Sequence, residues 1–473
     1  MTDEKLNILV FIESDIVIRH FMTSGALQAI CDTHNVKIIF PPVGYRRIRT
    51  SPQALDLPAP FEHVDIPEKR RQLWHQRYLV DNLRWKPGSD FRELRRTFRR
   101  IVKWKAAIQL SVYGLPLIYN VYKYLTARTI KKYPAQDLAS LIQAEQPHIL
   151  IHPSTFDGFF INDIIDLGKR FHIPSVLIMN SWDNPSVKRA TSGQADRVIV
   201  WGQQTMQHTM RFMRVQQDKI IKLGAAQFSV YQKPPRLSRD EFCIEHGIDP
   251  KNRILLYAGS SKQTNEFQHL VSLDNAISNN MLSNCTVVYR PHPWGLGGHN
   301  GSKIVDHPWK HVVIEASMRT YMDQIKSGET TPYMADYART HDVLSAIDAL
   351  VSPLSTIILE GALHGKPVMC YLPPEDKSTQ SWLGTVRNMV HFEDMFNSPY
   401  IPIATNKEEL IDNASKILDY VDDSKFKEAL IEEMKFFVEC PEPDYPRALL
   451  ATVEGFVGQK KQSTEDQIKR AAV

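Results

Sequence analysis

The chain has 473 residues, 43% of them hydrophobic and 23% charged, with a formal net charge of +4. That length exceeds the size at which a single core stops growing, so two domains are expected. No run approaches the roughly 20 apolar residues that span a bilayer, and the opening Met-Thr-Asp-Glu-Lys lacks the apolar centre of a signal peptide, so a cytoplasmic location is expected.

In chain order, the pattern predicts a strand at 6–12, a helix at 16–32, a strand at 36–40 and a further strand at 61–66. A basic, helix-rich insertion follows at about 68–130. Within it, 84–105 holds nine basic residues against Asp90 and Glu93, a local charge of +7 that leaves −3 for the remainder. Phe91, Leu94, Phe98 and Ile101 fall at helical spacing, so a basic amphipathic helix is expected there. Such a helix suits an anionic membrane surface, or packs on the protein's own core with its basic face in water. Nucleic acid is not an expected partner, because no recognition motif accompanies the charge.

Alternation resumes with a helix at 135–145, a strand at 148–151, a helix at 157–171, strands at 175–179 and 197–201, a helix from Gln203 and a strand at 219–223. Lys233-Pro-Pro-Arg then breaks the period, which sets domain limits at 1–232 and 233–457 with a polar, fraying tail at 458–473. The second domain opens with a capping box, Ser238 with Glu241, on a helix closing at Gly247. Strands are expected at 253–258, 286–290, 311–315, 349–352 and 367–372, and Thr405 with Glu408 opens a helix to about 418. Strand and helix in alternation define an α/β protein of two doubly wound, Rossmann-like domains facing across a cleft, each with a parallel sheet.

Ligands of such sheets sit at the carboxyl ends of the strands. Three segments of the second domain end strands there. Gly259-Ser260-Ser261 is small enough for close backbone approach to a phosphate, although no Gly-Lys-Ser/Thr makes it a Walker A loop. Arg290-Pro291-His292-Pro293 holds an imidazole between two fixed φ angles, preorganised as a donor to phosphate oxygens. Ser355 and Thr356 open a helix whose first amides face an anion, and Glu360, one turn on, is spaced to accept from a ribose; the plainer reading makes Ser355 an N-cap and Glu360 a solvated charge. From the first domain, His152 or Asp157 is a candidate proton acceptor for an attacking hydroxyl, and Lys188 a phosphate-neutralising cation. Asp183 stands on the same acceptor side, or builds a turn before Pro185. The five cysteines form no CxxC pair, and neither a zinc site nor an Asp-x-Asp metal motif is readable.

Ser181-Trp-Asp-Asn-Pro-Ser-Val-Lys188, Trp201-Gly202, Lys222-Leu-Gly-Ala-Ala-Gln-Phe228, Arg290-Pro-His-Pro293 and the block 351–367 together resemble bacterial GT-B transferases of surface-polysaccharide assembly. The CDP-glycerol glycerophosphotransferases are the nearest by motif, with capsule and lipopolysaccharide glycosyltransferases and the UDP-N-acetylglucosamine 2-epimerase fold further out. The resemblance implies a nucleotide-sugar donor in the second domain, His292 near its diphosphate, Ser355, Thr356 and Glu360 on phosphate and ribose, and a glycan or lipid-linked acceptor in the first. It also implies that no cofactor or metal is needed. The basic stretch 84–105 would then hold the enzyme peripherally at the inner face of the cytoplasmic membrane. Polyol-phosphate transfer, epimerisation and a scaffold without turnover are the alternatives.

Overall fold

The computed structural model describes residues 5–84, 104–155, 158–187, 194–260, 264–292, 301–327, 336–373 and 389–471. The chain divides into two units: Met1–Ser229 with Phe437–Val473, and Val230–Phe436.

Among the described residues the first unit is built on β1 (Asn7–Phe11), β2 (Asn35–Phe40), β3 (Phe61–His63), β4 (Ile149–His152), β5 (Ser175–Ile178), β6 (Arg197–Val200) and β7 (Ile220–Lys222). All pair in parallel in the order β3-β2-β1-β4-β5-β6-β7, so the winding reverses between β1 and β4. β4 and β5 are buried along their whole length, which is why they read as unbroken apolar runs rather than as alternating ones. The helix expected at 16–32 is broken by a turn at Gly25, and only α1 (Gln28–Thr33) resumes the α form beyond it. The insertion supplies α2 (Glu68–Arg84), α3 (Trp104–Tyr113) and α4 (Pro116–Ile130). Its anchor is Arg70, buried against Asp163 and 3.0 Å from Asp166, both on α5 (Ile161–Phe171). Burial raises the Asp163 carboxyl to about 6 despite the opposing Arg70 charge. The basic helix expected at 84–105 lies almost wholly outside the described residues.

The second unit is built on β8 (Arg253–Ala258), β9 (Cys285–Arg290), β10 (Val312–Ile314), β11 (Ala349–Ser352), β12 (Val368–Tyr371) and β13 (Ile403–Ala404). They too are parallel, in the order β10-β9-β8-β11-β12-β13, reversing between β8 and β11. Its helices include α6 (Arg239–His246), α7 (Glu266–Ser278), α8 (Tyr337–Ala346), α9 (Thr356–Leu363) and α10 (Lys407–Asp419). Leu255, Tyr257, Val287, Tyr289 and Val351 of the sheet pack with Leu270 and Leu273 of α7 and Leu410 and Ile417 of α10 in one core. The capping box of α6 forms as expected: Glu241 accepts from the Ser238 amide at 2.8 Å and Ser238 caps the Glu241 amide. At α10 the cap is displaced by one residue from the expected Thr405–Glu408 pair. Asn406 is the N-cap, and Glu409 accepts from the Thr405 amide and hydroxyl at 2.6 and 2.9 Å.

The chain's last stretch departs from the expected limits. Residues 437–457, assigned by sequence to the second domain, pack in the first unit, and the segment expected to fray continues α11 (Tyr445–Ala471) to its end. The Glu439 amide donates to the Trp201 carbonyl at 2.8 Å, and Lys222 pairs with Glu439 at 2.7 Å. Gly224 has φ +95, and a Cβ on it would stand 2.3 Å from the Glu439 carbonyl oxygen, so this motif glycine makes room for the returning chain. Phe437, Val438, Leu449 and Val453 are buried, and α11 lies against α1. Among the described residues no helix is long and apolar enough to cross a membrane.

Candidate functional site

Three expected segments of the second unit leave the same end of its sheet. Gly259-Ser260 follows β8, Pro291-His292 follows β9, and Ser355-Thr356 follows β11. These strands are neighbours in the order β9-β8-β11, so their loops start within about 10 Å of one another, at the point where the winding reverses. His292 is partly exposed there. Ser261 and Pro293 lie outside the described residues.

Ser355 occupies the N-cap position of α9 in extended geometry (φ −157, ψ 157), and its hydroxyl makes no capping bond to the helix. The plainer reading of Ser355 as an ordinary cap therefore does not hold. The hydroxyls of Ser355 and Thr356 and the first amides of α9 form a donor-rich, partly exposed edge with the positive end of the helix dipole.

Glu360 is one turn further in, buried, and accepts from the Tyr231 hydroxyl, so it is not a solvated charge. Burial and the Glu360 charge push the Tyr231 phenol well above its ordinary range. Tyr231 lies on a histidine pair, its ring 4.5 Å from that of His364 and 5.5 Å from that of His341. His341 Nε2 meets the Lys233 carbonyl at 2.7 Å, His364 Nδ1 meets the Glu360 carbonyl at 2.7 Å, and the inner nitrogens are 2.8 Å apart. Carbonyls only accept, so both outer nitrogens donate. Burial, reinforced by the His341 and Lys366 charges, pushes His364 down to about 4.

Two of the expected donor ligands are engaged inside the protein. Arg290 is buried, donates to Thr340 Oγ1 at 3.0 Å, and acts on the Glu315 carboxylate. Arg339 donates to Glu315 at 2.7 Å. Burial raises Glu315, but the Arg290 and Arg339 charges and the Ser317 hydroxyl outweigh it and hold the carboxyl at about 2. Arg290 is therefore balanced within the unit rather than left as a free cation. At the first turn the Ser260 amide donates to Glu266 Oε1 at 2.8 Å, and Thr264 and Tyr289 donate to the same carboxylate. A Cβ at Gly259 would stand 2.5 Å from Glu266 Oε2. The small residues here admit the protein's own Glu266 carboxylate.

In the first unit His152 ends β4 at the reversal of that sheet. It is fully buried, with Nδ1 donating to the Ser154 carbonyl at 2.7 Å and Nε2 3.3 Å from Glu13 Oε2. Glu13 also accepts from the amides of Phe159 and Phe160 at 2.7 and 3.0 Å. Burial raises the Glu13 carboxyl, but His152 and the Phe160 amide outweigh it and hold it below the ordinary range. His152 thus faces an internal carboxylate instead of standing open to an acceptor hydroxyl. Asp183 accepts from the Ser181 hydroxyl at 2.6 Å in a local turn, which favours its turn-building reading. Asp157 and Lys188 lie outside the described residues. Among the described residues no group of three or more His, Cys, Asp or Glu side chains is arranged as a metal site.

Sequence reasoning missed Tyr231, His341, His364, Glu266, Glu13 and Glu315. Glu13 and Glu315 carry a usable signal, since each is the first acid after a strand's carboxyl end. The histidine pair has none, because its members approach Tyr231 from distant parts of the sequence.

No family model matches the chain, and no curated protein matches it in sequence. Solved structures do. A UDP-N-acetylglucosamine 2-epimerase from Neisseria meningitidis bound to UDP-GlcNAc is similar at a TM-score of 0.52 and 10% identity, over 95% of this chain and 100% of that one. A glycosyltransferase from Rickettsia africae is similar at a TM-score of 0.50 and 12% identity, over 97% of this chain and 99% of that one. A further UDP-N-acetylglucosamine 2-epimerase gives a TM-score of 0.50 at 10% identity, covering 97% of each chain. At these identities the likeness defines the fold, which is GT-B, a fold these enzymes share.

Proposed function

We propose that this chain is a glycosyltransferase moving a sugar from a nucleotide-activated donor to a lipid-linked or polymeric glycan acceptor, with the donor held by the second unit. The observation that carries the reading is the meeting of the loops after β9, β8 and β11 around a helix start that its own Ser355 hydroxyl leaves uncapped. In this reading Ser355, Thr356 and the first amides of α9 take the diphosphate with His292 beside them. Glu360 exchanges its Tyr231 donor for a ribose hydroxyl. An acceptor hydroxyl attacks the anomeric carbon, the bond to the diphosphate oxygen breaks, and the charge that develops there falls on preorganised donors.

The fold shared with UDP-N-acetylglucosamine 2-epimerases supports a nucleotide sugar as ligand and carries a second reading, isomerisation of a UDP sugar without an acceptor. A CDP-activated polyol phosphate would use the same loops, with phosphorus as the attacked atom. A lipid-linked acceptor would bring the protein to a membrane.

Thermal shifts against CMP, CDP, UDP, GDP and dTDP test the site directly, since a ligand at 100 times its Kd stabilises by about 2.7 kcal/mol. One nucleotide is expected to raise Tm clearly above the rest. Glu360→Ala is expected to lose most of that rise, while itself lowering stability by about 1–3 kcal/mol because the buried Tyr231 hydroxyl loses its acceptor. No shift with any nucleotide would sink the donor site. A new epimer formed from a UDP sugar alone would establish the second reading.

A further inference from the structure

We propose that the α3–α4 hairpin of the first unit is a membrane-docking surface that lays its outer face into an anionic bilayer. The helix α4 is apolar on two opposite faces, one buried and one exposed. One face carries Tyr119, Tyr122, Thr126 and Ile130, is buried, and is tied to α2 by the Tyr119 hydroxyl donating to Asp81 at 2.6 Å. The opposite face presents Leu117, Ile118, Val121, Tyr124 and Leu125, with Leu115 in the turn before it, and all six are exposed, Leu117 at 87% and Tyr124 at 66%. Isolated apolar side chains on a surface need no explanation, but a contiguous group at i, i+4, i+7 and i, i+3, i+7 spacing marks an interaction site.

Charge selects the occupant. From Leu94 to Gln136 the sequence has ten basic residues and no acid. Of these, Arg128 and Lys131 continue the apolar face of α4 at its end, and Lys123, Arg128, Lys131 and Lys132 are exposed. Pairing this face with a second copy of the chain would set the exposed Lys123, Arg128, Lys131 and Lys132 of each copy against those of the other, whereas an anionic lipid surface complements both the charge and the apolar stripe. The tyrosine among the aliphatic side chains suits the headgroup boundary, and an apolar face flanked by cations is the pattern of a helix lying in the interface plane.

The inference does not rest on the donor site, and its test contains no nucleotide. The full chain is floated with vesicles of phosphatidylcholine alone and of phosphatidylcholine with about 30% phosphatidylglycerol, whose negative surface potential attracts basic side chains. Binding is expected to be at least tenfold stronger on the anionic vesicles and to weaken with salt. The triple variant Leu117→Ser, Val121→Ser, Leu125→Ser should cut it at least tenfold with an unchanged melting curve. Should that variant fold poorly, Arg128→Gln with Lys131→Gln and Lys132→Gln should lower binding and flatten its salt dependence. Absence of wild-type binding, or variants that bind like wild type, would overturn the proposal. So would a dimer in solution that the triple variant converts to monomer.

Discussion

At the residue scale the decisive contact is Tyr231 to Glu360. The carboxylate proposed to take a ribose already accepts from a phenol, so in that reading a sugar hydroxyl must first displace that donor. A hydrogen bond to a charged group contributes about 1.5–3 kcal/mol net, and part of it is recovered in the new bond. Tyr231→Phe should therefore tighten nucleotide binding by up to about tenfold, measured by titration calorimetry. Unchanged affinity would mean that the ribose does not use Glu360. The position of Glu360 was legible, because helical spacing from Thr356 fixes its face. Its partner was not, since Tyr231 lies 129 positions away and no local pattern encodes such a contact. The same limit applies to the bond from Tyr289 to Glu266, 23 positions apart.

At the element scale, α9 is a helix whose first turn is left without its own cap. A carboxylate at that position would satisfy the amides and the dipole, worth about 0.5–1 kcal/mol, and would repel a bound phosphate. Ser355→Asp is thus expected to raise the Tm of the free protein by a few degrees and to abolish the nucleotide-induced shift. A variant that is stabilised yet still binds would place the diphosphate elsewhere. Strands were the most legible elements: β8 and β11 run over the residues expected from their apolar runs. Helix ends were readable where caps are local, as at Ser238. They were misread where two neighbouring acids compete, as Glu408 and Glu409 do after Thr405, because the choice is made by side-chain reach rather than by residue type.

At the scale of the whole molecule, acid should unfold the protein through buried imidazoles. His269 is buried against Tyr257, and burial pushes it down to about 3. An unfolded histidine takes up its proton near about 6.5, so the contribution of His269 is complete above that pH. It is lost as pH falls from about 6.5 toward 3, at up to about 1.4 kcal/mol per pH unit. Urea unfolding at a series of pH values should show that slope, and His269→Phe should remove one proton's worth of it. An identical slope in the variant would assign the acid sensitivity to other groups. Two parallel sheets were legible from alternation alone, since each strand–helix repeat is a local signal. The return of the chain at Phe437 was not, because nothing in a helical pattern says which core its apolar face will meet. That return has a consequence for biosynthesis. The second unit is contiguous and can close on itself as it leaves the ribosome, while the first must hold an unfilled groove beside Trp201 and Gly224 until the final helix is made, so the part begun earliest is finished last.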